Sequence, residues 1–162
     1  MVRPQRLDST VQGNHSWQVV SYKGKISDMD GLDALIVETT RAAIASPHAV
    51  YRFGSSVAGA ARADSDIDIG LLADRPLDPL ARFELQETLA IALRRSVDLV
   101  DLRSASTVMA SQVVTTGIVI HDGAPQVRGA FEDRVFSAYA RLNEERRGIL
   151  ERIAAEGTVH GR

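Results

Sequence analysis

The chain has 162 residues, of which 44% are hydrophobic and 25% charged, with a formal net charge of −2 and no cysteine. This length predicts one domain with a hydrophobic core and no room for the separate template-binding module of a processive polymerase. The slightly negative charge argues against a long nucleic-acid footprint, and the lack of cysteine excludes disulfide scaffolds and cysteine-based zinc sites. No apolar run is long enough to cross a membrane, so we expect a cytoplasmic protein that binds neither membranes nor nucleic acid directly.

The first 27 residues are polar and irregular, and they predict an N-terminal arm in front of the domain. The stretch around the single tryptophan, Trp17, could instead form an extra strand or dock on a partner, so both alternatives stay open. We expect the domain itself over residues 28–155 and a short tail over residues 156–162.

A helix is the first regular element that the sequence predicts. Ser27 or Asp30 is suited to cap its start, apolar residues follow at helical spacing, and the helix runs to about residue 45, before Pro47. Residues 49–53 then alternate β-branched and aromatic side chains, which is typical of a strand.

A Gly-Ser turn, Gly54-Ser55-Ser56, follows that strand directly. Glycine lets the backbone approach a polyphosphate closely, and the serines add hydroxyl donors. A helix beginning near Val57 would point its positive end at the phosphates. A Gly-Ser pair alone is usually only a turn, so its meaning depends on the residues that follow.

Two aspartates, Asp66 and Asp68, are separated from Ser55 by ten residues and alternate with Ile67 and Ile69. This alternation predicts a strand on which both carboxylates point the same way, about 7 Å apart. Such carboxylates repel each other unless a cation lies between them, and Mg²⁺ prefers oxygen ligands and substrate phosphates. The pair could also belong to a solvated strand face, but its distance from the Gly-Ser turn favours a metal-dependent nucleotide site.

The elements after the acidic strand predict a small mixed sheet flanked by helices, an α+β fold. A helix over residues 79–93 has an apolar side, and a long amphipathic helix over residues 128–155 either completes the core or docks on a partner helix. The shorter elements are a strand at 96–102, a helix at 106–115 and a strand at 118–121. The apolar positions of the two longer helices are Leu80, Phe83, Leu85, Leu89 and Leu93, then Phe131, Val135, Phe136, Tyr139, Leu142 and Ile149. We interpret Arg94 and Arg95 as a solvated helix end.

The strand at 96–102 carries two more aspartates, Asp98 and Asp101. Their separation of three residues puts them on opposite faces of a regular strand, so at most one of them can join Asp66 and Asp68. Asp101 suits the end of the strand, a cap on the next segment or a contact with solvent.

These motifs resemble the GSx10DxD signature of the polymerase-beta-like nucleotidyltransferase superfamily, and most closely its minimal nucleotidyltransferases, the antitoxins of HEPN/MNT toxin–antitoxin pairs. The resemblance covers about residues 32–150 and rests on the Gly-Ser turn, on Asp64-Ser65-Asp66-Ile67-Asp68 and on Val97-Asp98-Leu99-Val100. One departure is Ala58, where members of the family often carry arginine.

The resemblance implies a polymerase-beta-like fold with a long C-terminal helix, and Asp98 as the third acidic residue. It implies catalysis by Asp66, Asp68 and Asp98, which would hold two Mg²⁺ ions, with Asp98 as a metal ligand or a general base. Gly54, Ser55, Arg62 and Ser65 would bind the nucleotide. The implied reaction transfers AMP from ATP to a tyrosine hydroxyl of a HEPN-type ribonuclease toxin, which silences that partner.

Two other functions stay open at this stage. An adenylyltransferase that modifies a small molecule such as an antibiotic would share the same donor site, although the chain has no obvious second domain to bind such a substrate. A non-enzymatic antitoxin would neutralise its partner by binding alone, and binding alone does not require the three aspartates.

Overall fold

The computed structural model describes residues 26–57 and 65–156, which form a four-stranded sheet between two pairs of helices. The elements in chain order are α1 (Ile26–Ala43), β1 (Ala49–Phe53), a 3-10 turn (Gly54–Ser56), β2 (Ile67–Leu72), α2 (Pro79–Leu93), β3 (Val97–Asp101), α3 (Thr107–Thr116), β4 (Ile118–Asp122) and α4 (Pro125–Glu156). No helix in the described part of the chain is both long and apolar enough to span a membrane.

The sheet is mixed, as the sequence predicts, with strand order β3-β2-β1-β4. β1 pairs antiparallel with both β2 and β4, whereas β2 pairs parallel with β3. The parallel pair exists because α2 carries the chain back to the starting end of β2, as parallel strands require. The beginnings of β2 and β3 therefore lie at the same end of the sheet, beside the end of β1.

The two faces of the sheet carry separate apolar clusters, because successive side chains of a strand point to opposite faces. On one face, Val50 and Ile69 pack with Ile36 of α1 and the leucines of α2. On the other face, Tyr51 and Phe53 pack with residues of α3 and α4. The domain thus has three layers, with α1 and α2 below the sheet and α3 and α4 above it.

Helix α2 has the bounds that the sequence predicts. Asp78 caps it by accepting hydrogen bonds from the amides of Leu80 and Ala81, and a proline occupies its first position. Its buried residues are Leu85, Leu89 and Leu93. The assignment of Leu80 and Phe83 to the same apolar side was wrong, because they are 63% and 55% exposed.

Helix α4 begins at Pro125, three residues before the predicted start, and only its first part lies in the core. Phe131 and Val135 are buried against the sheet, and Glu132 accepts a hydrogen bond of 2.8 Å from the Tyr51 hydroxyl. The remaining apolar positions are exposed or half-buried, namely Phe136, Tyr139, Leu142 and Ile149. The core interpretation therefore holds only for the first third of this helix.

The predicted start of the first helix was wrong, because α1 already begins at Ile26 and includes both proposed caps, Ser27 and Asp30. The arm predicted over the first 27 residues, with its extra strand, otherwise lies outside the described residues, as does the tail after residue 156. The helix expected near Val57 would run into residues 58–64, which also lie outside them.

Candidate active site

The Gly-Ser turn lies directly against the carboxylate of Asp68. Phe53, the last residue of β1, pairs with Asp68 in β2, so the turn that follows Phe53 passes over this side chain. Gly54 has a φ of 71°, and a Cβ placed on it would lie 2.0 Å from Asp68 Oδ2. Only glycine combines this backbone conformation with so close an approach, which explains the residue type at the turn.

The register of the sheet brings the aspartates of β2 and β3 together. Asp68 and Asp98 are direct partners across the parallel pair, so their side chains leave the same face of the sheet. Asp66 comes just before β2 and, like Asp98, is exposed, whereas Asp68 is half-buried beneath the turn. The three carboxylates therefore lie at the end of the sheet where the Gly-Ser turn lies, near enough for the charges of Asp66 and Asp98 to act on Asp68.

The neighbouring carboxylates affect the pKa of Asp68, the central one of the three. Partial burial raises the pKa of Asp68 above its ordinary value, and the negative charges of Asp98 and Asp66 raise it further. Among the residues that the structure describes, no cationic side chain is among the causes of this shift at Asp68. Such a site is suited to a cation supplied from outside.

Asp101 stands apart from this cluster, as the opposite-face argument predicts. It is 3% exposed, and its carboxylate accepts hydrogen bonds from the amide of Leu77, the amide of Arg103 and the hydroxyl of Ser104, at 2.9, 3.0 and 2.9 Å. The suggestion that it contacts solvent was wrong, because Asp101 is buried and the neighbouring loops supply these three donors. Asp101 holds loops in place.

The turn between α2 and β3 holds the backbone on both sides of Asp66. The amide of Ile67 donates to the carbonyl of Ser96 at 2.9 Å, and the Arg95 guanidinium donates to the carbonyl of Ser65. The interpretation of Arg95 as a solvated helix end was wrong, although its neighbour Arg94 is exposed. No local pattern in the sequence indicates the contact of Arg95, because its partner lies 30 residues earlier.

A second contact that the sequence does not reveal lies under the strand that leads into the Gly-Ser turn. Arg52 is fully buried, and its guanidinium donates to both carboxylate oxygens of Asp33 on α1, at 2.7 and 3.3 Å. A buried guanidinium needs such a partner because an uncompensated charge in a protein interior is strongly destabilising. The pair ties α1 to β1 two residues before Gly54.

The remaining predicted site residues are placed as follows. Ser55 is exposed on the turn, and Ser65 is half-buried immediately before the acidic pair. Arg62 lies outside the described residues. A cavity of about 680 Å³ lies beside residues 43–46 and 73–78, at the opposite end of β2 from the acidic cluster.

The donor set at this end of the sheet fits a hard divalent cation. Carboxylate oxygens are the ligands that Mg²⁺ prefers, and a cation among Asp66, Asp68 and Asp98 would relieve the repulsion that raises the pKa of Asp68. Within residues 26–57 and 65–156, no three His, Asp or Glu side chains already form a cage for a metal. Magnesium usually needs no such cage, because it takes water and substrate phosphates as its other ligands.

The family described as polymerase beta, nucleotidyltransferase matches residues 36–126, a span that contains the Gly-Ser turn and all three aspartates of the cluster. This chain belongs to that family. It is 43% identical over 120 residues to the protein adenylyltransferase MntA of Shewanella oneidensis, covering 74% of this chain and 86% of the relative. It is also 35% identical over 80 residues to the probable protein adenylyltransferase MntA of Haemophilus influenzae, covering 49% and 70%.

Solved structures similar to this chain are toxin–antitoxin complexes. One contains AMP-PNP, and its matching chain is 41% identical with a TM-score of 0.68, over 75% of this chain and 98% of that one. Another holds a tri-AMPylated HEPN toxin of Shewanella oneidensis with its MNT antitoxin, at 40% identity and a TM-score of 0.64, over 76% and 96%. The polymerase-beta-like fold with its long C-terminal helix, predicted from the resemblance, is thereby confirmed.

Proposed function

We propose that this protein is an antitoxin that transfers AMP from ATP to a tyrosine hydroxyl of a partner HEPN-type ribonuclease toxin and thereby silences it. The observation that carries the proposal is the meeting of Gly54, Asp68 and Asp98 at one end of the sheet, in a chain 43% identical to a protein adenylyltransferase. The similarity to an antitoxin that forms a complex with an AMPylated HEPN toxin supports the acceptor.

The donor side of the reaction is assigned to the turn and the acidic cluster. The backbone amides of Gly54 and Ser55 and the hydroxyl of Ser55 bind the outer phosphates of ATP, with contributions from Ser65 and Arg62. Asp66, Asp68 and Asp98 would hold Mg²⁺, which would neutralise charge on the triphosphate and support departure of pyrophosphate. Because Asp68 lies against the turn, a cation held by its carboxylate would lie beside the phosphates that the turn would bind.

The transfer step forms one bond and breaks another at the α-phosphorus of ATP. The oxygen of the acceptor hydroxyl attacks this phosphorus, and the bond to the oxygen bridging the α- and β-phosphates breaks, so pyrophosphate leaves with that electron pair. The hydroxyl proton moves to a carboxylate, and the exposure of Asp98 on the same face as Asp68 supports Asp98 for this role, as the alternative to its role as a metal ligand. The reaction takes place in the cytoplasm, where ATP and a ribonuclease toxin are both present.

Intact mass spectrometry of the partner tests the proposal. The purified chain is incubated with Mg²⁺, ATP and the HEPN-type protein encoded next to its gene, and we expect the partner to gain one or more adenylyl groups. Asp66→Asn/Asp68→Asn should abolish this gain, a loss of at least about a thousandfold or ~4 kcal/mol, because both metal ligands are lost. Asp74→Asn is the matched control, since that carboxylate is 89% exposed at the opposite end of β2.

Each alternative function gives a different result in the same experiment. An unchanged partner mass together with a tight complex that survives Asp66→Asn/Asp68→Asn would show an antitoxin that acts by binding alone. An unchanged partner mass together with adenylylation of an added small molecule would show an enzyme of the antibiotic-modifying kind. Full transfer activity in the double variant would overturn the assignment of the acidic cluster.

A further inference from the structure

The acidic pair depends on a turn that lies outside the motif. Asp66 is exposed and precedes the first residue of β2, so the sheet alone does not hold its backbone. The residues on either side of it are held by the α2–β3 turn, because Ser96 accepts from the amide of Ile67 and Arg95 donates to the carbonyl of Ser65. Residues 95 and 96 thus hold the peptide on either side of Asp66.

Arg95 makes this contact at a cost to its own hydrogen bonding. Its Nε is buried and has no acceptor among the described residues. A buried donor without a partner is unfavourable by about 1–3 kcal/mol. Hydrogen bonding within the fold therefore does not by itself explain why an arginine occupies this position. An apolar side chain of similar length would fill the same space without that penalty, while losing the bond to Ser65.

We infer that Arg95 is a positioning residue that acts through Asp66, holding the Ser65 carbonyl so that the Asp66 carboxylate stays beside Asp68 and Asp98. The inference rests on the proposed function insofar as Asp66 is taken as a metal ligand. Arg95 itself touches neither metal nor nucleotide in this assignment. Residues that orient a ligand without touching the metal commonly change metal affinity by 10- to 100-fold when they are removed.

The direction of the effect separates this role from simple electrostatics. Arg95 is cationic, so removing its charge near a cluster of carboxylates would by Coulomb attraction alone strengthen the binding of a divalent cation. Loss of a positioning contact has the opposite sign, because Asp66 then samples orientations that do not ligate. Arg94 offers a matched control, since it is an exposed cation in the same turn with a φ of 51° that asparagine also tolerates.

The test is a calorimetric titration of MnCl₂ into the full-length protein with AMP-PNP present, together with thermal unfolding of each variant. Arg95→Met should weaken Mn²⁺ binding about tenfold while leaving the Tm unchanged or higher, because it removes a buried unpaired donor. Arg95→Lys should restore part of the affinity, and Arg94→Asn should stay within twofold of the unchanged protein. In an Asp66→Asn background, Arg95→Met should cause no further weakening, since the residue through which it acts is gone.

The possible outcomes distinguish this inference from the proposed function. Unchanged or tighter Mn²⁺ binding in Arg95→Met, with weaker binding in Asp66→Asn, would overturn the role of Arg95 and leave the metal site intact. Weakening by Arg95→Met that persists undiminished in the Asp66→Asn background would also overturn it. Unchanged Mn²⁺ binding in Asp66→Asn would instead remove Asp66 from the metal site and so count against the proposed function.

Discussion

Asp98 and Asp101 lie three residues apart on the same strand and have opposite surroundings. Asp98 is exposed, faces Asp68 across the parallel pair and adds to the repulsion that raises the pKa of that residue. Asp101 is buried on the other face, where two backbone amides and a hydroxyl donate to its carboxylate. Charge alone would favour exposure of both aspartates, so the burial of Asp101 depends on these three donors.

The difference shows how one residue type serves either the fold or a ligand. The fold satisfies Asp101 internally, so its charge stabilises the loops that it holds and is not available to an outside cation. Asp98, Asp68 and Asp66 repel one another in the described structure, and a ligand is needed to relieve that repulsion. Carboxylates that destabilise one another at a shared site are a stronger sign of function than carboxylates that the protein has already paired.

Of the substitutions that test the contrast between these aspartates, we expect the largest effect from a change at Asp98, and we expect it on the rate of AMP transfer. Asp98→Asn should lower AMP transfer by roughly a hundred- to a thousandfold, or ~3–4 kcal/mol in activation free energy, because the amide neither ligates magnesium as well nor accepts a proton. Initial rates of AMP incorporation into the partner measure it. Wild-type rates in Asp98→Asn would exclude that residue from the site.

The next effect is on stability, at Asp101. In Asp101→Asn, whichever oxygen becomes the amide NH₂ faces a backbone N–H that it cannot accept from, so we expect a loss of about 2–4 kcal/mol in the free energy of unfolding. The corresponding fall in Tm is on the order of 10 °C. Transfer per folded molecule should be preserved, and an Asp101→Asn protein with unchanged Tm but no activity would reverse the roles of the two residues.

The smallest effect that we expect is a gain in stability on substituting Asp68 by asparagine, measured as the Tm in the absence of divalent metal. Because folding raises the pKa of Asp68, the folded state binds its proton more tightly than the unfolded chain does, and this carboxyl destabilises the fold once the pH exceeds its ordinary pKa of about 3.9. Asparagine does not ionise. The Tm of Asp68→Asn should therefore match that of the unchanged protein at low pH and exceed it increasingly as the pH rises through the carboxyl range.

Absence of that advantage at neutral pH would mean that neither burial nor the neighbouring carboxylates raise the pKa of Asp68 in the folded protein. Asp74→Asn serves as the control for removing one negative charge, because that carboxylate is exposed and distant from the cluster. Its Tm difference from the unchanged protein should vary little over the same pH range.

Much of the fold could be predicted because it depends on local patterns. The alternation in residues 49–53 and the Asp78 cap with its following proline each determine an element from neighbouring residues alone. The burial of Leu80 and Phe83 was predicted wrongly because they were assigned to the same side of α2 as its buried leucines, whatever their angular positions. At 3.6 residues per turn, Leu80 lies about 180° from the buried Leu89, so the two cannot face the same layer.

In the candidate site, too, features set by nearby residues could be predicted from the sequence, whereas contacts between distant residues could not. The Gly-Ser turn and Asp68 could be linked from their spacing, and the choice of Asp98 over Asp101 agrees with the face that each occupies in β3. The pairing of Arg52 with Asp33 and the contact of Arg95 with Ser65 join residues 19 and 30 positions apart. Such contacts depend on how the helices pack on the sheet, and no short pattern in the sequence records them.

The closeness of Gly54 to Asp68 has a consequence at the level of the gene. Every missense change of a glycine codon by one base introduces an amino acid with a Cβ, and at this position that carbon would lie 2.0 Å from the Asp68 carboxylate, at a backbone angle that L-residues rarely adopt. Codon 54 therefore has no conservative neighbour in the genetic code, and any amino-acid change that a single-base mutation produces there must displace either the turn or the aspartate.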